Sequence, residues 1–173
     1  GGAPPIGLCG SGVLSLLALL RQSGAVDARG ALDRRNPLVR ERDGEKEVLL
    51  AERAGPGERP LVFTQDDVRT IQLTKAAIRA GFDLLLAAHG VGEEEPGTIL
   101  VAGAFGLTLD LDAAREIGLF PPLPPDRFRK IGNAAADGAA RLLACAAARR
   151  RADEIARETR HLEPASDPGF QRT

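Results

Sequence analysis

The sequence predicts a mostly helical α/β fold with parallel strands and flanking helices, and three observations predict it. Apolar segments with strand character near residues 60–64, 98–102 and 128–131 alternate with stretches of helical period. Glycine-containing turns, Gly103 to Gly106 and Gly132-Asn133, follow the second and third of these strands. The 173 residues, 43% apolar and 27% charged, suffice for one domain with a real core.

Each element has its own local reason. A loop through Pro4-Pro5 leads into Ile6-Gly7-Leu8-Cys9-Gly10-Ser11-Gly12 and an apolar helix from Val13 to Gln22. Ser11 is placed to cap that helix and Gly24 to end it in a left-handed turn. Residues 27–42 are polar and rich in turn formers. Lys46 to Glu52 and Pro60 to Thr64 read as strands on either side of Gly55-Pro56-Gly57. Thr64 and Asp67 form a capping pair that opens the longest helix, Gln65 to His89, which Gly90 closes. Strand Thr98 to Ala102 runs into Gly103-Ala104-Phe105-Gly106, and a short helix, Leu111 to Ile117, leads to a proline-rich turn at 121–125. Strand Phe128 to Ile131 meets Gly132-Asn133, and Asn133 caps a helix from Ala134 to Arg150. The Arg149-Arg150-Arg151 cluster then suits the negative end of that helix. The tail, 159–173, reads as one strand and an extended end. Strands separated by helices pair in parallel through right-handed crossovers, and such sheets bind ligands at the carboxyl ends of their strands.

Composition narrows the function. A net charge of −1 gives no electrostatic reason for nucleic acid or an anionic membrane as partner. The longest apolar runs, Val13 to Leu20 and Leu84 to Ala88, are far short of a membrane span. Cys9, Cys145, His89 and His161 have no metal-ligand spacing, so no metal set is expected, and two lone cysteines point to the reducing cytoplasm. The absence of methionine and the Gly1-Gly2-Ala3-Pro4-Pro5 opening suggest a piece of a longer protein.

Four places could carry chemistry. Gly103-Ala104-Phe105-Gly106 leaves its strand with little side-chain bulk, so a flat or anionic ligand can approach the backbone; taken alone, the motif is better read as a tight strand–helix turn. Gly132-Asn133 opens a helix whose first amides are free donors, suited to an anion, although the small residues Ala134, Ala135, Gly138 and Ala139 also suit close packing. Asp137 and Arg141 have the spacing of an outward ion pair. Cys9, in Cys9-Gly10-Ser11-Gly12, reads as a small residue in a tight turn rather than a nucleophile. In the long helix, Lys75 interrupts an apolar stripe of Ile71, Ile78, Phe82 and Leu85, with Gln72 at its edge. Leu73, Ala77, Ala80 and Leu84 form a second apolar face, so the helix is expected to be buried on two sides. A lysine in such a stripe either snorkels to water or meets an anion.

Taken together, the runs Gly7 to Gly12, Thr64 to Arg69, Gln72 to Gly81, Ala102 to Gly106 and Gly132 to Ala135 resemble one family over nearly the whole chain. It is the C-terminal domain of the reductive activators of corrinoid proteins and of related uncharacterised iron–sulfur proteins. That family falls within the acetate and sugar kinase, heat-shock chaperone and actin superfamily. The resemblance implies a ribonuclease-H-like, actin-like ATPase lobe with a mixed sheet, spanning 1–173. It implies an N-terminal ferredoxin-like [2Fe-2S] domain, which this sequence lacks, and ATP-driven reduction of cob(II)alamin to cob(I)alamin in a corrinoid protein of a methyltransferase system. Val101 to Gly106 is similar to the superfamily's adenosine motif and Gly132 to Ala139 to its second connecting motif. Gly103, Ala104, Phe105, Gly106, Gly132, Asn133, Lys75 and Gln72 are the residues expected to bind ATP. The phosphate hairpins of Asp-Gly-Thr and Gly-Gly type, which serve magnesium and the γ-phosphate, are not found here, so the chain alone is not expected to hydrolyse ATP. The competing reading is a docking or homodimerisation module that binds no nucleotide.

Overall fold

Helix α1, Gly10–Gln22, begins where the extended backbone of Cys9 offers its carbonyl to the amide of Val13 at 3.0 Å. The structure, a computed structural model, describes residues 5–54, 57 and 59–163. Ser11 is therefore not the cap. It lies buried inside the first turn, its hydroxyl 3.4 Å from Cys9 Sγ, because the helix starts two residues earlier than its capping chemistry suggests. Gly24, at φ +73°, ends the helix as expected.

Residues 39–64 form a three-stranded antiparallel meander: β1, Val39–Arg42; β2, Glu45–Ala54; and β3, Arg59–Thr64. Strand β1 arises in the segment expected to be turns. Only Val39 among its four residues is apolar, and pairing with β2, in the register Val39 to Val48, holds it. The intervening Asp43-Gly44, both at positive φ, makes a two-residue hairpin turn. The hairpin bend expected at Gly55-Pro56-Gly57 lies largely outside the described residues. Helix α2, Gln65–His89, has the expected bounds, and its capping pair is complete. The Thr64 amide and hydroxyl donate to Asp67 Oδ2 at 2.8 and 2.9 Å, and the Asp67 amide donates back to Thr64 Oγ1 at 3.2 Å.

The two-sided burial expected of α2 does not form. Ile71 and Val68 are buried, but Leu73 is 74% exposed and Ile78 and Leu85 are exposed as well. Periodicity reports where the apolar residues lie, not whether anything covers them.

Strands β4, Ile99–Val101, and β5, Phe128–Lys130, pair in parallel in the register Ile99 to Phe128. The crossover between them carries α3, Gly103–Thr108, and α4, Leu111–Glu116. Among the described residues parallel pairing is thus confined to this pair, and β3 joins the meander instead. The glycine turn after β4 proceeds directly into α3, a helix not foreseen. Asp110 caps α4 by accepting from the amides of Asp112 and Ala113, both at 3.0 Å.

The expected helix 134–150 is two helices, α5, Ala134–Ala144, and α6, Ala146–Glu158. Cys145 between them is extended at φ −136° and ψ 116°, which breaks the helical ladder. The arginine cluster consequently sits within α6, whose strong helix formers carry it on to Glu158. Asp137 and Arg141 are exposed and form no ion pair with each other. Residues 159–163 form no strand, and the rest of the tail lies outside the described residues.

The chain divides into two compact units, Gly1–Arg79 with Asp110–Phe120, and Ala80–Leu109 with Pro121–Thr173. Within the first, α1 packs on α4, and Leu17, Leu20, Leu32, Val48, Phe63, Val68, Ala114 and Ile117 are buried. The second holds the β4–β5 pair, with Leu109, Leu123 and Phe128 buried. No helix among the described residues is long and apolar enough to cross a membrane.

Candidate functional site

The second unit brings the two glycine turns together. The amide of Gly103 donates to the carbonyl of Gly132 at 2.8 Å, and the amide of Ile131 donates to the carbonyl of Val101 at 3.1 Å. Both glycines are left-handed, at φ +91° and +74°, a conformation that a β-carbon opposes. A β-carbon added at either would meet nothing within 4 Å, so both turns present bare backbone to open space. Gly106 differs. A β-carbon there would stand 2.9 Å from Val101 Cγ1 and 3.4 Å from the Val101 carbonyl carbon, so α3 lies directly on β4. Ala104 is exposed, and the Phe105 ring is half-exposed. Lys130 Nζ donates to the carbonyl of Leu107 at 3.1 Å, tying the end of β5 to α3.

Asn133 caps α5 by accepting from the Ala136 amide at 3.2 Å, as its position predicts. The amides of Ala134 and Ala135, at the positive end of this eleven-residue helix, have no partner within it. The two turns therefore form a surface of free backbone donors and an aromatic ring. Its chemistry fits a flat heteroaromatic ring with a polar or anionic attachment.

Gln72 and Lys75 belong to the first unit. Gln72 is engaged with the chain itself: its amide donates to the carbonyl of Arg29 at 3.2 Å and fills the space before Gly30. Lys75 is half-buried, with its ammonium 3.9 Å from the position of a β-carbon on Gly118. Burial, and secondly the like charge of Arg21, push its pKa below the ordinary lysine value. Among the described residues it has no ion-pair partner. The exposed Cys9 thiol is held below its usual range chiefly by its hydrogen bond with Ser11. Among the described residues no three His, Cys, Asp or Glu side chains gather as a metal site.

Sequence reasoning missed a cavity of about 530 Å³ in the first unit, where Arg29, Arg34, Lys46 and Arg69 converge. These residues are spread over a loop, a strand and a helix, so no run of charge announces them.

A family model described as the C-terminal domain of RACo, the ASKHA domain, matches residues 1–173. The chain belongs to this family. It is similar to a curated protein of Eubacterium limosum named corrinoid activation enzyme RamQ, at 34% identity over 183 residues, covering 100% of this chain and 31% of that protein. It is also similar to a solved structure titled reductive activator for corrinoid, iron-sulfur protein, with a TM-score of 0.86 and 34% identity, over 99% of this chain and 28% of that one. The chain thus spans about a third of each relative. The ASKHA assignment and the TM-score together establish the actin-like α/β fold that the motifs imply.

Proposed function

We propose that the chain is the adenosine-side lobe of an ATP-dependent reductive activator, one that reduces cob(II)alamin to cob(I)alamin in corrinoid proteins. The hydrogen bond between Gly103 and Gly132 carries this reading, because it fixes two bare, left-handed turns side by side at the carboxyl ends of parallel strands. The names of both relatives, each a corrinoid activator, support the reaction class. Gly103 to Gly106 and Gly132-Asn133 would hold the adenosine, with Phe105 available to the ring and the α5 amides to polar groups. ATP, bound with magnesium in the full-length protein, supplies the free energy of its hydrolysis. A [2Fe-2S] domain of the full-length protein would supply the one electron that converts Co(II) to Co(I). The partner is a corrinoid protein of a methyltransferase system, encountered in the cytoplasm.

A second reading, a docking or dimerisation module without nucleotide, draws on the exposure of Leu73 and Leu143, 74% and 85%. The ATP-dependent appearance of cob(I)alamin, followed by absorbance with the full-length protein and its corrinoid partner, separates the two. Gly103→Val should abolish it while the iron–sulfur centre still accepts electrons from an external reductant. Unchanged ATP-dependent reduction by a folded Gly103→Val protein would favour the docking module.

A further inference from the structure

The cavity in the first unit has a built floor. The loop at 29–32 is held from three sides. The Gln65 side chain accepts from the Leu32 amide at 2.8 Å and donates to the Gly30 carbonyl at 2.7 Å. Lys46 Nζ donates to the Leu32 carbonyl at 2.7 Å, and the Gln72 amide holds the Arg29 carbonyl. Gly30 is left-handed at φ +83°, with the Gln72 amide where a β-carbon would be. Together with α2 and β2, this pinned loop directs four cations into one concavity.

Part of that charge is not neutralised locally. Arg69 pairs with Asp66 at 2.7 Å and Arg34 with Glu41 at 3.0 Å, each through a single guanidinium nitrogen, leaving their other donors open. Arg29 forms no ion pair among the described residues; Asp27 is held below the usual carboxylate range chiefly by the Ala31 amide, with the Arg29 charge a lesser cause. Lys46 has further donors beyond the one spent on Leu32. Glu41 on Arg34, with the lining Glu45 and Asp66, sets three carboxylates against four cations, in a chain whose net charge is −1. A concentration of guanidinium forks in a cavity within the range of about 300–1,000 Å³ typical of small-molecule sites matches a compact oxyanion.

We propose that this cavity binds a small-molecule phosphate carrying several negative charges, held by Arg29, Arg34, Lys46 and Arg69. The pinned loop preorganises the cations, so little ordering cost opposes binding. The proposal does not depend on the nucleotide reading of the glycine turns.

The test is calorimetric titration of the full-length protein with inorganic tripolyphosphate at low salt. Binding should be measurable and should weaken as salt is raised. Arg29→Ala removes a side chain that has no hydrogen bond to lose among the described residues. It should raise the tripolyphosphate Kd about tenfold with an unchanged melting temperature, and Arg29→Ala/Arg34→Ala should raise it further. No binding by the wild-type protein, or equal binding by folded variants, would overturn the proposal. Tighter binding of tricarballylate than of tripolyphosphate would overturn the assignment to phosphate.

Discussion

The amide of Gly103 donates to the carbonyl of Gly132 across 2.8 Å, joining the turns that follow β4 and β5. Neither residue tolerates a side chain easily, since both are left-handed, yet space in front of both is open. A position that excludes a β-carbon by conformation rather than by crowding keeps bare backbone accessible, which is what a close-lying ligand requires.

Gly106 is a packing position by the same comparison. Gly106→Ala should cost about 1–3 kcal/mol by forcing α3 away from β4, since the new methyl meets Val101 Cγ1 at 2.9 Å. Val101→Ala in the same chain should recover part of that loss, so the two changes are non-additive in chemical denaturation. Additive losses would show that the helix does not rest on Val101.

Gly30 and Gln72 are fitted to each other in the same sense. Gly30→Ala should cost about 2–3 kcal/mol, from left-handed strain and from displacement of the Gln72 amide from the Arg29 carbonyl. Gln72→Ala alone should cost less, and combined with Gly30→Ala it should relieve the overlap but not the strain. The binding role assigned to Gln72 from sequence gains a concrete alternative here. If the residue only clamps the loop, Gln72→Ala leaves nucleotide affinity untouched.

Lys75 gives a prediction with a pH sign. Its folded-state pKa is lowered, first by burial and then by Arg21, so between that value and the ordinary 10.5 the unfolded chain binds more protons. The lysine therefore penalises the fold at neutral pH, and the penalty fades as pH rises through that window. Lys75→Met should raise the melting temperature at pH 7 by about 1–3 °C, and the gap to wild type should narrow toward pH 10. A lower melting temperature at pH 7 would mean that the ammonium has a stabilising partner. Loss of nucleotide affinity in this variant would place Lys75 in a site.

These contrasts show what was legible in the sequence. The Thr64–Asp67 cap, Asn133, Gly24 and Gly90 were readable because each acts within a few residues of itself. Strand β1 was not, since its VRER sequence has one apolar residue and depends on β2, although Asp43-Gly44 carried a hairpin signal that should have been read. The break at Cys145 has no glycine or proline to mark it. The Gln72 clamp spans 43 residues of sequence, and the cavity of Arg29, Arg34, Lys46 and Arg69 draws on three elements, so neither has a local signature. The glycine turns were legible one by one. Their joining needed the register of β4 on β5.

ATP affinity of the full-length protein, measured by calorimetry for wild type, Gly103→Val and Ala104→Leu, tests the central claim most directly. Ala104 is exposed and its backbone is not left-handed, so leucine there adds bulk to the turn without the strain that valine meets at Gly103. The account predicts that wild type binds ATP and that both variants lose at least about tenfold in affinity, with Ala104→Leu retaining the wild-type melting temperature. Wild-type ATP affinity in a folded Ala104→Leu protein would contradict it.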